Sequence, residues 1–253
     1  MSRAQAANSR GPSRGSEARG VAGAALLSRR GQDPALTFLL LLPLGILHLS
    51  STRPEDSGAW SLIELALQRV GPWAPPALGA GLLLTLFWAI GRVRGLGLAW
   101  RTGSLAAIIE GLLWGIALGP VLRFTTSILP LESAPLQLGS THQSLALAAG
   151  AGLYEELIFR ALLLGAGALL FQSLIRLLGW REAAHPLGCA LALAISSLVF
   201  AWAHVFGDSH ALELQVFAFR ALAGLVFGSL FLWRGLAVAA WGHAGYDALL
   251  LLG

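Results

Sequence analysis

The sequence predicts an all-α protein, specifically a polytopic transmembrane helical bundle of about seven spans. Of the 253 residues, 56% are hydrophobic and only 12% are charged, and the mean hydropathy is +0.70. Soluble domains typically carry about 25% charged residues, so this composition excludes a soluble domain. Apolar runs long enough for a hydrocarbon core about 30 Å thick also recur along the chain.

Seven candidate spans are predicted, at residues 34–50, 75–91, 103–122, 144–171, 187–206, 214–233 and 235–252. The Arg-rich segment 1–33 before them has no apolar stripe, and we expect it to be a disordered cytoplasmic tail. Between the first two spans, residues 60–70 mix apolar with charged residues. Both a short interfacial helix and a plain loop fit that pattern.

The arginines predict the orientation. All 17 basic residues are Arg. With the N-terminus inside, twelve of them fall on the inner side, three on the outer side, and Arg160 and Arg220 within spans. The positive-inside rule therefore favours a cytoplasmic N-terminus, and the Ala, Gly, Leu and Arg bias is typical of a GC-rich bacterial genome, which places the chain in the inner (plasma) membrane. Because the arginines are dispersed at loop ends, we predict no nucleic-acid role. The single cysteine, Cys189, excludes an internal disulfide.

Three charged residues, Glu155, Glu156 and Arg160, interrupt the fourth span. An unpaired acid or Arg at the centre of a span costs roughly 2.5 to 3.5 kcal/mol on insertion scales. Glu156 and Arg160 lie on one helical face with the acid N-terminal to the base, which favours an ion pair. Glu155 is rotated from Glu156 by about 100° and gains no such partner from its own helix. Its burial points to a function, and the structural alternative is an ion pair with Arg220 of the sixth span.

Two later spans also carry polar side chains at membrane depth. His204 follows Phe200 by four residues near the end of the fifth span, and His243 and Asp247 share one face of the seventh. Taken singly, such residues are also explained by interfacial or helix-packing hydrogen bonds. However, the fourth span begins, and the fifth and seventh end, on the same side of the membrane. We therefore expect these side chains and Glu155 to meet in one half of the bilayer.

A carboxylate and two imidazoles in a low-dielectric pocket form a hydrolytic set, in which the carboxylate takes a proton from water and the other groups stabilise an oxyanion. The motifs Glu-Glu-x-x-x-Arg, Phe-x-x-x-His and His-x-x-x-Asp follow in this order across late apolar spans. Their order resembles the CAAX protease and bacteriocin-processing family, also called CPBP or Abi, which includes the type 2 CAAX prenyl endopeptidases. The resemblance covers roughly residues 140–253, and it implies CPBP/Abi-like catalytic helices there, after N-terminal transmembrane helices and loops at 34–139.

The resemblance also implies roles for individual residues. Glu155 resembles the catalytic glutamate that activates water, with His204 as its partner. His243 and Asp247 resemble the pair that binds the oxyanion or completes the site. The function implied is that of an intramembrane endopeptidase that hydrolyses a peptide bond of a membrane-anchored protein or peptide, with the lipid bilayer as its other partner.

Glu156 and Arg160 match the remaining motif positions and are expected to support the site. The chain departs from the prenyl endopeptidases at Asp247, where they have Asn. An acid at this position adds negative charge beside Glu155, which favours a bound cation. Two histidines and two carboxylates make an acceptable Zn²⁺ set. A water activated by glutamate alone and a Zn²⁺ held by the same four side chains are therefore both open.

Two functions from other classes compete with the protease. One is a non-catalytic member of the same fold, such as a bacteriocin self-immunity or scaffold protein. The other is a proton-relaying transporter, which would predict internal repeats that this chain lacks. CAAX specificity itself is not expected, since bacteria generally lack prenylated proteins of that type. The prenyl endopeptidases also act on cytosolic tails, whereas the arginine count places this pocket toward the opposite side.

The remaining polar residues of the spans have simpler interpretations. Glu110 either pairs with a buried Arg or lines a cavity, and Arg220 is close enough to its span's start to snorkel to the interface. Several tryptophans near span ends are typical of interface anchors. Four histidines lie at span ends or in loops and are expected to have no functional role: His48, His142, His185 and His210.

Overall fold

The structure is a computed structural model that describes residues 33–51, 58–94, 99–128, 140–207 and 214–252. Within these ranges every regular element is a helix, which confirms the predicted all-α class. The helices are α1 (Pro34–Leu49), α2 (Gly58–Val70), α3 (Ala74–Arg94), α4 (Ala99–Ile128), α5 (Thr141–Leu177), α6 (Ala184–Gly207), α7 (Leu214–Arg234) and α8 (Leu236–Leu252). Apart from Asp33, the predicted tail at 1–33 lies outside the described residues.

Five helices are long and apolar enough to cross a membrane, namely α3, α4, α5, α6 and α7. The apolar helices α1 and α8 have 16 and 17 residues, somewhat fewer than the roughly 20 that a spanning helix needs. Each of the seven predicted spans coincides with one of these seven helices. The chain is therefore an integral membrane protein, while the count of seven crossings stays a prediction.

The segment for which a helix and a loop were both expected forms helix α2. Its Ile63 packs against a cluster of buried residues that includes Leu153 and Tyr154 of α5, whereas Leu65 and Val70 are exposed. An element with one packed face and exposed apolar residues suits the membrane interface. The helical alternative is the correct one.

Local sequence signals fix several helix ends. Asp33 caps α1 by accepting the backbone N–H groups of Ala35 and Leu36 through its side chain, and Pro34 occupies the first helical turn, where its missing N–H is harmless. Gly235 has a φ of 91°, a conformation that glycine adopts without strain. Gly235 is the one residue between α7 and α8, so the connection between these two helices is a single-residue turn.

Helix α5 is one continuous helix of 37 residues whose middle has a different geometry from its ends. The segments Thr141–Gly150 and Gly167–Leu177 are α-helical, and Ala151–Ala166 is π-helical. π-Helices are rare, mostly limited to single turns, and frequent at functional sites. The charged triplet of the fourth predicted span lies within this π segment.

Helix α8 lies at the centre of the described helices and packs against α1, α4, α5 and α7. Its closest contact is with α4, which has glycines rather than larger residues at two positions that face α8. A Cβ at Gly115 would lie 2.6 Å from the carbonyl oxygen of Gly242, and one at Gly111 would lie 2.6 Å from the Trp241 Cβ. Helix α4, the third predicted span, therefore presses its backbone directly on α8.

Candidate active site

Three helices bring the four predicted catalytic side chains together. Glu155 lies in the π segment of α5, His204 in the last turn of α6, and His243 and Asp247 in α8. The Oε2 atom of Glu155 lies 3.5 Å from His204 Nε2 and 3.8 Å from His243 Nε2. The Oδ2 atom of Asp247 lies 3.5 Å from the same His243 nitrogen. The side chains thus form one cluster, in agreement with the expected convergence.

Hydrogen bonds on the far side of each imidazole fix how the two rings are turned. His204 Nδ1 lies 2.8 Å from the Phe200 carbonyl oxygen, and His243 Nδ1 lies 2.8 Å from Glu156 Oε1. A carbonyl and an ionised carboxylate can only accept, so each Nδ1 must carry a proton. Both Nε2 atoms consequently face Glu155, with a lone pair in the neutral ring and an N–H in the charged ring.

On its buried side, the cluster is bounded by an ion pair between Glu156 and Arg160, which we call the wall of the cluster. Glu156 is 0% and Arg160 is 1% exposed, and Arg160 Nη1 lies 3.1 Å from Glu156 Oε1. The predicted ion pair between these i and i+4 residues is confirmed. Because the same Glu156 oxygen accepts from His243, the carboxylate connects the buried guanidinium to the imidazole. Removing either charge would leave the other without its counter-charge at membrane depth.

Two phenylalanines complete this wall. The Arg160 guanidinium carbon lies 4.4 Å from the centre of the Phe200 ring and 5.9 Å from that of Phe227. Phe227 also lies nearly parallel to His243, with ring centres 4.6 Å apart and an angle of 16°. Phe200 packs against His204 at 4.5 Å. Each of the two imidazoles is therefore in contact with a phenylalanine ring.

Sequence analysis did not identify Phe227 as a residue of the site. A signal was nevertheless present, because Gly224 and Gly228 on α7 have the small-residue spacing typical of close helix pairs. A Cβ at Gly224 would lie 2.9 Å from Ser197 Cα on α6, and one at Gly228 would clash with the Leu193 side chain. This close approach carries Phe227 into the cluster.

The π geometry of α5 changes the relation between the two glutamates. A π-helix has more residues per turn than an α-helix because its hydrogen bonds reach one residue further. The rotation from Glu155 to Glu156 is consequently smaller than the 100° expected of an α-helix. Both carboxylates contact His243, Glu155 through Nε2 at 3.8 Å and Glu156 through Nδ1 at 2.8 Å. As expected, the ion-pair partners of Glu155 come from other helices, namely His204 and His243.

Helices α5 and α8 approach each other closely just before the glutamates. A Cβ at Gly152 would lie 2.6 Å from the Ala240 carbonyl oxygen and 2.7 Å from the Ala244 Cβ. Any side chain at position 152 would push the two backbones apart. The short distance between Glu155 and His243 therefore depends on this glycine.

The cluster has a closed side and an open side. The side chains of Glu156, Arg160 and His243 are 0%, 2% and 7% exposed, whereas those of His204 and Asp247 are 21% and 23% exposed. Glu155, at 13%, lies between the two groups. A ligand would consequently approach from the side of His204 and Asp247 and meet Glu155 first.

A Zn²⁺ ion held by these four side chains is one of the two alternatives that the sequence left open. Among the described residues, no group of three or more His, Cys, Asp or Glu side chains has an arrangement that could hold a metal ion. The paired donor atoms of Glu155, His204, His243 and Asp247 lie 3.5 to 3.8 Å apart. A Zn²⁺ ion at this cluster stays a prediction.

The remaining polar residues of the predicted spans lie outside the cluster. Glu110 accepts from Arg234 through both carboxylate oxygens, which joins α4 to the end of α7. The ion-pair contacts of Glu155 are with the two histidines and not with Arg220.

Of the histidines expected to have no role, His142 and His185 are exposed, and His210 lies outside the described residues. His48 is 1% exposed and packs on α5, which the sequence did not predict.

The fold and the cluster define a class: a helical integral membrane protein with carboxylates and imidazoles gathered among its spans. Residues 137–249 match the family described as Rce1-like, type II CAAX prenyl endopeptidase. The resemblance drawn from the three motifs is thereby confirmed for this part of the chain, and the family is one of proteases. Comparisons with curated proteins and with solved structures found no match.

Proposed function

We propose that this protein is an intramembrane endopeptidase in which Glu155 activates a water molecule that hydrolyses a peptide bond of a membrane-anchored protein or peptide. The observation that carries the proposal is the convergence of His204 Nε2 and His243 Nε2 on Glu155 Oε2, at 3.5 and 3.8 Å. The family match over residues 137–249 supports the reaction class. The identities of the base and of its partners rest on the geometry.

The first step is the attack of water. Glu155 Oε2 and the Nε2 lone pair of neutral His204 are both acceptors, and a water between them satisfies both through its two O–H groups. Their separation of 3.5 Å is longer than a direct hydrogen bond of about 2.7 to 3.2 Å. The water oxygen bonds to the substrate carbonyl carbon while its proton passes to Glu155. General base catalysis of this kind contributes about 10²- to 10⁴-fold.

His243 is the group we assign to the oxyanion that forms in this step. Glu156 accepts the Nδ1–H at 2.8 Å, and its carboxylate stabilises a positive charge on the ring. The charged ring offers Nε2–H as a donor to the carbonyl oxygen as negative charge develops there. Phe227, parallel to the ring, keeps its plane fixed.

The second step breaks the C–N bond. Protonated Glu155 returns its proton to the leaving nitrogen, the electron pair of the C–N bond moves to that nitrogen, and the products are a carboxylate and an amine. Asp247, which in its ionised form can only accept, receives a hydrogen bond from the leaving N–H. An Asn at this position would instead offer a second oxyanion donor.

A membrane-anchored substrate follows from where the cluster lies. It lies among apolar helices, of which α5 and α6 are long enough to span the membrane, and it opens toward His204 and Asp247, so we expect the scissile bond to reach membrane depth. We propose that the chain resides in a bacterial inner membrane with a cytoplasmic N-terminus and that the cluster opens toward the outer side. With Cys189 replaced by Ala, a cysteine at His142 should react with an impermeant thiol reagent in intact cells, and one at Arg181 only after permeabilisation. The reverse labelling would overturn this orientation.

The main test is cleavage of membrane-anchored reporter peptides by the purified protein in proteoliposomes. Glu155→Gln keeps the size of the side chain and removes the base, so cleavage should be lost. Glu182→Gln is the matched control, because Glu182 is exposed in the turn between α5 and α6 and its loss should leave the rate unchanged. Cleavage that survives Glu155→Gln would refute the assignment.

Two further experiments test the substrate and the type of catalysis. Reporters with and without a prenyl group test whether the lipid is recognised. Phenanthroline, followed by added Zn²⁺, tests the metal alternative, since inhibition that Zn²⁺ reverses would assign the reaction to a metalloprotease. Failure of the wild-type protein to cleave any reporter would favour the non-catalytic member of the fold.

A further inference from the structure

His48 is a buried histidine that the proposed reaction does not use. It lies in the last turn of α1 and is 1% exposed. Its Nδ1 lies 3.1 Å from the carbonyl oxygen of Ala146 in α5, and this nitrogen is the donor because a carbonyl can only accept. A histidine hydrogen-bonded into the side of another helix is a specific contact between α1 and α5.

The contacts of His48 bracket the place where α5 changes geometry. Besides Ala146, its ring packs edge-on against Tyr154 at 5.1 Å between ring centres. Between these two positions lies Gly150, where any Cβ would collide with the imidazole. Positions 146, 150 and 154 are spaced by four residues, and the π segment begins at residue 151. One ring therefore touches α5 on both sides of the α-to-π junction.

We propose that His48 is a positioning residue that fixes the α-to-π junction of α5 and thereby the direction in which Glu155 and Glu156 point. The hydrogen bond holds the carbonyl of the last α-helical turn, and the ring fills the space left open by Gly150. A rare geometry such as a π segment persists only where its surroundings hold it. His48 supplies such a contact from a separate helix, which gives α1 a role in the site.

The consequence for catalysis rests on the proposed peptidase function, whereas the geometry can be tested without it. Two cysteines, Glu155→Cys and His204→Cys in a Cys189→Ala background, are joined by a short thiol-reactive cross-linker. The yield reports the register of the π segment against α6. His48→Leu fills the site with an apolar side chain that has no hydrogen-bond donor, and the yield should fall. His48→Asn places an amide N–H near the position of Nδ1, and the yield should be retained.

A second cysteine pair is the control for general unfolding. Gln172 Nε2 lies 3.5 Å from Cys189 Sγ, in the α-helical end of α5 and in α6, so Gln172→Cys with the native cysteine forms a pair beyond the π segment. Its cross-linking should be unaffected by His48→Leu. Loss of both pairs, or retention of both, would overturn the proposal. Gly150→Ala disturbs the same contact from α5 and should reproduce the effect of His48→Leu.

Activity supplies the functional readout. Once the wild type cleaves a reporter, His48→Leu should lower kcat by about 10- to 100-fold, the size expected of a misplacement near 1 Å, with KM little changed. His48→Asn should restore most of kcat. Equal kcat for His48→Leu and wild type would overturn the role in catalysis. Absence of cleavage by the wild type would instead bear on the proposed function, leaving the cross-linking result to decide the geometry.

Discussion

Two carboxylate–arginine pairs in this molecule have the same chemistry and different surroundings. Glu156 and Arg160 belong to one helix, and their side chains are 0% and 2% exposed. Glu110 and Arg234 join α4 to the end of α7, with side chains 29% and 28% exposed. The first pair is also tied to His243 and to two phenylalanines. The difference between the pairs is one of burial: the buried pair also contacts an imidazole and two aromatic rings, whereas the partly exposed pair has the Trp233 ring beside Arg234 as its further contact.

The comparison predicts the largest effect for the buried pair. Arg160→Met leaves the Glu156 charge without its counter-charge, and breaking a buried pair costs about 3 to 5 kcal/mol. Arg234→Met should cost less, about 1 kcal/mol, at the upper end of the range for exposed pairs, because these side chains are only partly exposed. Thermal unfolding of the two variants in the same detergent measures the difference. Equal losses of unfolding temperature would mean that burial does not distinguish the pairs.

A second contrast lies between two glycines in helices of the same bundle. A Cβ at Gly152 would press on the α8 backbone, whereas one at Gly79 on α3 would meet nothing within 4 Å. Overpacking typically costs about 1 to 3 kcal/mol, so Gly152→Ala should destabilise the protein and slow cleavage by separating Glu155 from His243. Gly79→Ala should be neutral or stabilising by up to about 1 kcal/mol. Similar unfolding temperatures for both variants would contradict the close contact of α5 with α8.

A third contrast is between a phenylalanine inside the bundle, Phe227, and one on its surface, Phe87. Phe227 is 1% exposed and lies on His243, whereas Phe87 on α3 is 71% exposed. An aromatic pair contributes about 0.5 to 1.5 kcal/mol beyond its buried area, so Phe227→Leu should lower kcat by about tenfold. Phe87→Leu should leave kcat unchanged. Stacking on His243 would have no role in the reaction if both variants cleaved at the wild-type rate.

The smallest effect is expected at Asp247, on the open side of the cluster. Asp247→Asn keeps the shape and can still accept through its amide oxygen, so cleavage should stay within about tenfold of wild type, in the range of one hydrogen bond. Asp247→Leu removes the acceptor and should lower the rate further. The two variants are compared by initial rates on one reporter. An equally large loss for both variants would show that the negative charge itself is required, as for a bound cation.

Much of this architecture could be predicted from the sequence, since apolar runs and charge placement are local properties. The seven apolar segments coincide with helices, and the spacing of Glu156 and Arg160 predicted their ion pair, because residues four apart are neighbours on a helix. The order of the motifs along alternating spans also brought Glu155, His204 and His243 to one side of the membrane. None of these predictions required knowledge of how the helices pack.

Other features could not be predicted, because they depend on which helices touch. The π geometry of α5 cannot be predicted from its residue pattern, because the same pattern is also compatible with an α-helix. His48 was expected to have no role since it lies at a span end, and Phe227 was one apolar residue among many. Their significance comes from contacts across helices, with Ala146 for the first and His243 for the second.

The sequence by itself determined that the chain is helical, that it lies in a membrane, and which charged and polar residues are too costly to bury without partners. Only the tertiary structure decided the identity of those partners and the direction of each ring and carboxylate. The physical reason is that hydrophobicity and helical spacing act over a few residues of one helix. The close approach of α8 to α4 and α5 depends on glycines of α4 and α5 that face the backbone of α8. The sequence of one helix does not show which residues of another helix it will face.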